Sequence, residues 1–226
     1  MTVSILCFGL TSPLTAATIF DNSHNDLSTR FNPGGLEVGD EILLAGTERY
    51  LTTFSFEYWG TASGASFAGD VQARVRFYQN NGALVSGYAA PGTAPFFDSG
   101  WLSFRQLGIG PTARNTLVFN AGVDFPIAGL LMPVTSNMTW SIQFQGMGLG
   151  DAVGVDLYAP PTVGGDYADY WQNNGAGSWS LLTNTVPVDF AAVMQANLVP
   201  EPSTLVLSIL GGLGLLIVAR RVRERN

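Results

Sequence analysis

Few residues in this chain are of a type that does chemistry. Its 226 residues include one His, one Cys and no Lys. A Ser–His–Asp mechanism needs a histidine held by the fold. The only one, His24, sits in the polar run Asp21-Asn22-Ser23-His24-Asn25-Asp26, which reads as a solvated loop near the chain start. Cys7 lies in an N-terminal apolar run, so cysteine catalysis and multi-cysteine metal sites drop out. Schiff-base chemistry drops out with lysine. Glycoside hydrolysis needs only two carboxylates, and residues 18–199 carry fifteen acids. Most of these, such as Asp40, Glu41, Glu57 and Asp70, fall in turns or on the polar faces of strands. No pair is set in an apolar cleft that would separate its two pKa values. The chain therefore reads as non-enzymatic, with no catalytic residue assigned. A carboxylate-dependent glycosidase is the less favoured alternative.

Binding chemistry has more material. Asp151, Asp156, Asp166 and Asp169 lie in a loop-rich stretch, and Gly164-Gly165-Asp166-Tyr167-Ala168-Asp169-Tyr170 offers the oxygens a hard cation prefers. The pattern matches neither an EF-hand nor a calcium nonapeptide. No metal ligand is assigned, and calcium is the one cofactor to test. Tyr167, Tyr170, Trp171 and Trp179 surround a Gly/Asn-rich loop. Aromatic rings beside Asn and Asp are what a sugar-binding surface uses, so residues 167–179 are the expected contact loop of a carbohydrate-binding module. Trp59, Trp101 and Trp140 sit within strand patterns and are expected in the core.

The elements that position these residues follow a period of two. Phe54, Phe56 and Tyr58 alternate with polar residues. Val71, Ala73, Val75 and Phe77 alternate with outward Arg74 and Arg76. Met138 to Gln145 and Asp151 to Leu157 alternate in the same way. Further strands are expected at 18–22, 37–44, 97–107, 115–120, 178–183 and 189–197. Turn signals separate the strands, among them Asn32-Pro33-Gly34-Gly35, Asn80-Asn81-Gly82 and Asn173-Asn174-Gly175. About ten strands, each with one apolar face, imply an all-β fold. The expected form is an antiparallel β-sandwich, jelly-roll-like, spanning residues 18–198. Six arginines against fifteen acids leave residues 18–199 with a net charge of −9, which excludes a phosphate-backbone binder and hence nucleic acid.

Both ends carry targeting signals. The apolar run from Ser4 to Leu10, followed by Thr15-Ala16-Ala17, reads as a secretory signal peptide over residues 1–17, cleaved after Ala17. No basic residue precedes the run, so the true start is expected further upstream. At the other end, Pro200-Glu201-Pro202-Ser203 precedes sixteen uncharged residues, Thr204 to Ala219. As a transmembrane helix these span roughly 24 Å, which snorkelling arginines extend to the membrane thickness. Arg220, Arg221, Arg223 and Arg225 then place the tail in the cytoplasm.

Motif, span and basic tail in that order resemble the PEP-CTERM protein-sorting signal, over residues 199–226. The resemblance implies an exosortase as partner, a membrane-embedded cysteine protease that acts near Pro200, Glu201 and Pro202. It implies passage from a transient inner-membrane anchor to the surface or exopolysaccharide matrix of a Gram-negative bacterium. The middle also resembles secreted domains often found ahead of this signal. Segments 39–49, 54–58, 74–78, 97–101 and 169–175 carry that likeness, and the group has no activity to transfer. The expected function is that of a secreted, surface-sorted structural or adhesive protein of the envelope or biofilm matrix. Exopolysaccharide is the candidate ligand.

Overall fold

The computed structural model describes residues 16–126, 129–132 and 137–199. Nearly all of the signal peptide, and the whole of the sorting motif, the 204–219 span and the basic tail, lie outside the described residues. Among the described residues no helix is long and apolar enough to cross a membrane, and every regular element is a β-strand.

The first strands are β1 (Ala17–Asn22), β2 (Asp26–Phe31), β3 (Val38–Leu43), β4 (Tyr50–Thr61) and β5 (Gln72–Tyr78). Short pairs follow as β6 (Leu84–Val85), β7 (Tyr88–Ala89), β8 (Phe97–Asp98) and β9 (Leu102–Ser103). Then come β10 (Thr112–Asn120), β11 (Leu130–Leu131), β12 (Asn137–Gln145) and β13 (Ala152–Tyr158). The last are β14 (Gly165–Asp166), β15 (Asp169–Asn173), β16 (Trp179–Thr183) and β17 (Ala192–Asn197).

They form two antiparallel sheets packed face to face, with β6–β7 as a separate hairpin. The first sheet runs β1-β17-β4-β13-β2, with β10 and β11 also on β4. β4 is long enough for two strands to share one of its edges. β17 pairs with residues 50–56 and β13 with residues 58–61. β10 takes the opposite edge. The second sheet runs β16-β15-β3-β12-β5-β8, with β14 also on β3 and β9 on β5.

The alternation read from sequence sets the faces. Phe54, Phe56 and Tyr58 of β4, Phe77 of β5 and Trp140 of β12 are all buried in one core between the sheets. Phe54 meets Phe77 at 5.1 Å and Trp140 at 5.3 Å, edge to face across the layers. Such aromatic pairs add about 0.5–1.5 kcal/mol beyond their area burial.

Three expectations need correction. The 97–107 strand is broken into β8 and β9, because Gly100 turns the chain at φ +67° and the Asp98 carboxylate accepts its N–H. β2 and β15 are strands where no strand was expected. β2 carries only two large apolar residues, Leu27 and Phe31, and pairs along β13 alone. β15 is anchored by its pairing to β3 and β16. Of the three tryptophans expected in the core, only Trp140 is there. Trp59 and Trp101 are half-buried beneath Arg30 and Arg74, at 5.7 and 5.6 Å.

Candidate functional site

The four aromatics of the 167–179 loop do not form one surface. Side chains alternate across a strand, so Tyr170 and Trp171 of β15 point to opposite faces. Tyr170 turns toward the core side and meets Phe31 at 5.1 Å. Trp171 is 0% exposed and Trp179 is 6% exposed. Both are buried with Tyr78 and Ala90 in a second apolar cluster on the outer face of the second sheet. The 79–96 segment folds back over this cluster. Tyr167 is the one exposed ring of the four, and it packs against Tyr88 of the hairpin at 6.1 Å. Trp171 and Trp179 therefore cannot serve as stacking platforms for sugar. They are the foundation on which their neighbours stand.

Those neighbours line a groove. Glu37, Arg76, Gln143, Gln172, Asn173 and Asn174 surround an open volume of 590 Å³ on the outer face of the second sheet, with Gly35, Leu36 and Gly175 completing it. β15, β12 and β5 supply Asn173, Gln143 and Arg76, and Glu37 directly precedes β3. The β15–β16 turn supplies Asn174 and Gly175, where Gly175 adopts φ +92°, a conformation that favours glycine.

Glu37 is the anchor of the groove. Its Oε1 accepts from Tyr78 Oη at 2.9 Å and from Ser141 Oγ at 2.7 Å. Its Oε2 accepts from Asn173 Nδ2 at 2.8 Å and pairs with Arg76 Nη1 at 2.5 Å. Burial works against the Arg76 charge, yet Glu37 outweighs it and holds the guanidinium pKa above its usual value. Burial, then the Glu37 charge, raise the Tyr78 hydroxyl.

From Arg76 the polar row continues along the sheet. Arg76 Nε lies 3.3 Å from Asp98, and Arg74 clasps the same carboxylate at 2.8 and 2.5 Å. The Arg74 hydrogen bond lowers Asp98 most, to about 2, against a smaller opposing effect of burial. Gln143 Nε2 donates to the Gly35 carbonyl at 3.0 Å. From β15 to β8 the row crosses four strand spacings, about 19 Å. Its charges are neutralised within the protein, which leaves amides, a guanidinium edge and the Trp101 ring as the contact chemistry.

The first sheet carries a second groove of 580 Å³, lined by Asp26, Ser28, Thr29, Arg30, Arg114 and Asp156. Here the carboxylates are locked to arginines. Arg30 Nε stands 3.5 Å from Asp156, and Arg114 holds Asp26 and, at 3.4 Å, Glu57. Burial raises the Asp156 carboxyl, and the two arginines oppose that rise. Asp156 and Glu57 each stand beside an arginine here, and Asp156 is only 2% exposed.

The four acids proposed for calcium do not gather either. Asp151 is saturated by the N–H groups of Ala68, Gly69 and Gly148, and these bonds lower its pKa. Asp156 belongs to the first-sheet groove. Among the described residues no three acidic, His or Cys side chains stand close enough to hold an ion as a ready-made cage. Asp166 and Asp169 lie instead near Asp40 and Asp189, two buried acids that sequence reasoning had left on polar faces or unassigned. One signal was present for Asp40. It occupies the inward parity between Val38 and Ile42, where an alternating strand should bury an apolar residue. His24 is exposed, 3.3 Å from Asp21.

No family model, curated protein or solved structure matches the chain.

Proposed function

We propose that this is a secreted, surface-sorted, non-enzymatic protein of the cell envelope or exopolysaccharide matrix, and that its sandwich holds a polysaccharide chain in the groove of the second sheet. The observation that carries this reading is the pinned Glu37 network in a groove lined by amides, of which Asn174 is exposed. Four donors fix the carboxylate, and the groove wall is thereby held before any ligand arrives. Preorganised polar groups cost little ordering entropy on binding. The buried aromatic cluster behind the wall adds rigidity. Binding of this kind needs no acid–base pair.

Both ends of the chain are read as targeting signals, from their residue patterns and, for the exosortase, from the PEP-CTERM resemblance. Residues 1–17 direct secretion, 204–219 form a transmembrane helix, and an exosortase acts at Pro200, Glu201 and Pro202. The sandwich is read as jelly-roll-like, since successive long strands β2, β3, β4, β5 and β10 alternate between the two sheets.

The test is binding of the full chain, purified in mild detergent, to exopolysaccharide from the producing organism. Wild type is expected to saturate. The variant Gln143→Ala/Asn174→Ala removes two groove amides and with them two side-chain hydrogen bonds, to the Gly35 carbonyl and to Ser180 Oγ. It is expected to stay folded with a modestly lower Tm and to lose at least about tenfold in affinity, the sum of two hydrogen bonds. Unchanged affinity in a folded variant would remove the groove from consideration. Release of reducing sugar by wild type would favour the glycosidase reading.

A further inference from the structure

We propose that Asn22, Asp40, Asp166 and Asp189 form a calcium site that ties the two sheets together at one edge of the sandwich. Asn22 ends β1 of the first sheet, and Asp189 adjoins Phe190, which bridges to β13 of that sheet. Asp40 and Asp166 lie on β3 and β14 of the second. The site thus spans the interface between the layers.

Three buried oxygens there meet no hydrogen-bond donor. Asp40 is 0% exposed. Its Oδ2 accepts from the Phe190 N–H at 2.8 Å, while its Oδ1 has no partner. Asp189 Oδ1 is likewise buried and without a donor. Asn22, also fully buried, is the independent witness. Its Nδ2 faces three acceptors, the Tyr158 carbonyl at 2.7 Å, Asp166 Oδ2 at 3.3 Å and the Phe190 carbonyl at 3.4 Å. That arrangement fixes the amide orientation and leaves Oδ1 as a bare buried acceptor. An unsatisfied buried acceptor is costly, and three in one neighbourhood call for a positive partner. The protein supplies none. Among the described residues, no Arg or His pairs with Asp40, Asp166, Asp169 or Asp189.

The donor set selects the ion. Carboxylate and amide oxygens suit a hard cation, and the absence of thiolate and imidazole argues against zinc or copper. Calcium tolerates irregular, flexible coordination, whereas magnesium demands a near-ideal octahedron. The carboxylates are not yet gathered into a cage. In the bound state Asp166 gives up its hydrogen bond from Asn22 Nδ2 and moves from its partly buried position toward the buried oxygens of Asn22, Asp40 and Asp189.

The experiment uses the full chain in mild detergent, freed of metal with EGTA and exchanged into metal-free buffer. Calcium chloride at about 10 mM, roughly 10–100 times the Kd of extracellular calcium modules, is expected to raise Tm by about 3–10 °C. Calorimetric titration is expected to give one strong site per chain. Magnesium chloride and sodium chloride at matched ionic strength are expected to give little shift. Asp189→Asn and Asp166→Asn are expected to lose most of the calcium shift. Should Asp189→Asn fail to fold, Asp166→Asn decides, because Asp166 is only partly buried. No calcium shift in wild type overturns the site, as does an undiminished shift in Asp166→Asn. An equal shift with magnesium overturns the assignment to calcium.

Discussion

Two acidic residues of similar burial show how surroundings decide a side chain's role. Glu37 is satisfied by a phenol, a hydroxyl, an amide and a guanidinium, and it stiffens a groove. Asp189 has no such company. Burial, then the neighbouring charges of Asp166 and Asp169, raise its carboxyl to about 8. Burial raises Asp166 to about 7 and pushes Asp40 well above the carboxylate range. Asp40 of β3, Asp166 of β14, Asp169 of β15, Asp189 and the Asn22 amide of β1 are the groups that face one another there. Without metal, the folded state keeps protons on these acids that the unfolded state releases above the ordinary carboxylate pKa near 4. Stability therefore falls as pH rises from about 4 through about 7 and 8. Asp98 works in the opposite sense. Its pKa of about 2 gives stability present above pH 4 and lost as pH falls toward 2. The expected outcome is a Tm maximum between about pH 4 and 6 in chelator, with a decline toward pH 9 that Asp189→Asn flattens. Circular dichroism melts across that range check it, and a flat profile in wild type would show these acids to be solvated.

At the scale of elements, the long alternating strands were readable because burial on one face forces a period of two. β4, β5, β12 and β13 follow their sequence patterns closely. β15 escaped because its two faces are buried against different things: Tyr170 meets Phe31 from one side, and Trp171 is covered by the 79–96 segment on the other. Adjacent aromatics on opposite faces break the alternation of residue types, so Tyr170 and Trp171 read as an exposed loop. Close strand approach was equally hidden. A methyl group at Gly154 of β13 would stand 2.0 Å from the Phe31 carbonyl oxygen and 2.9 Å from Trp59 Nε1. Gly154→Ala must push β2 off β13, and is expected to cost about 1–3 kcal/mol. Chemical denaturation measures that loss, and the groove of the second sheet should bind as before in the folded variant.

For the molecule as a whole, net charge, sorting and binding form one proposal. On that proposal, a net charge of −9 over residues 18–199 keeps the domain soluble outside the cell and disfavours nucleic acid, the proposed C-terminal signal delivers it to the surface, and the groove is the surface offered to polysaccharide. Alanine at Pro200, Glu201 and Pro202 together is expected to block processing. The chain should then remain in the inner membrane at unprocessed mass, read by fractionation and mass spectrometry. Normal delivery of that variant would separate the chain from the PEP-CTERM pathway while leaving the groove proposal untouched.

By itself the sequence determined the class of the fold, the order of most long strands and the two outward arginines of β5. These properties depend on neighbours two residues apart. It also carries the residues of the proposed sorting signal, which are contiguous along the chain from Pro200 to Arg225. Only the tertiary structure decided which polar residues share a site. Glu37 meets Ser141 and Asn173, and Asn22 meets Asp166, across more than a hundred residues of chain. Such contacts follow from sheet order and register, which no local pattern encodes. The same physics decided the 167–179 loop: the hydrophobic effect buries Trp171 and Trp179, and Asn174 at its turn is left facing the solvent.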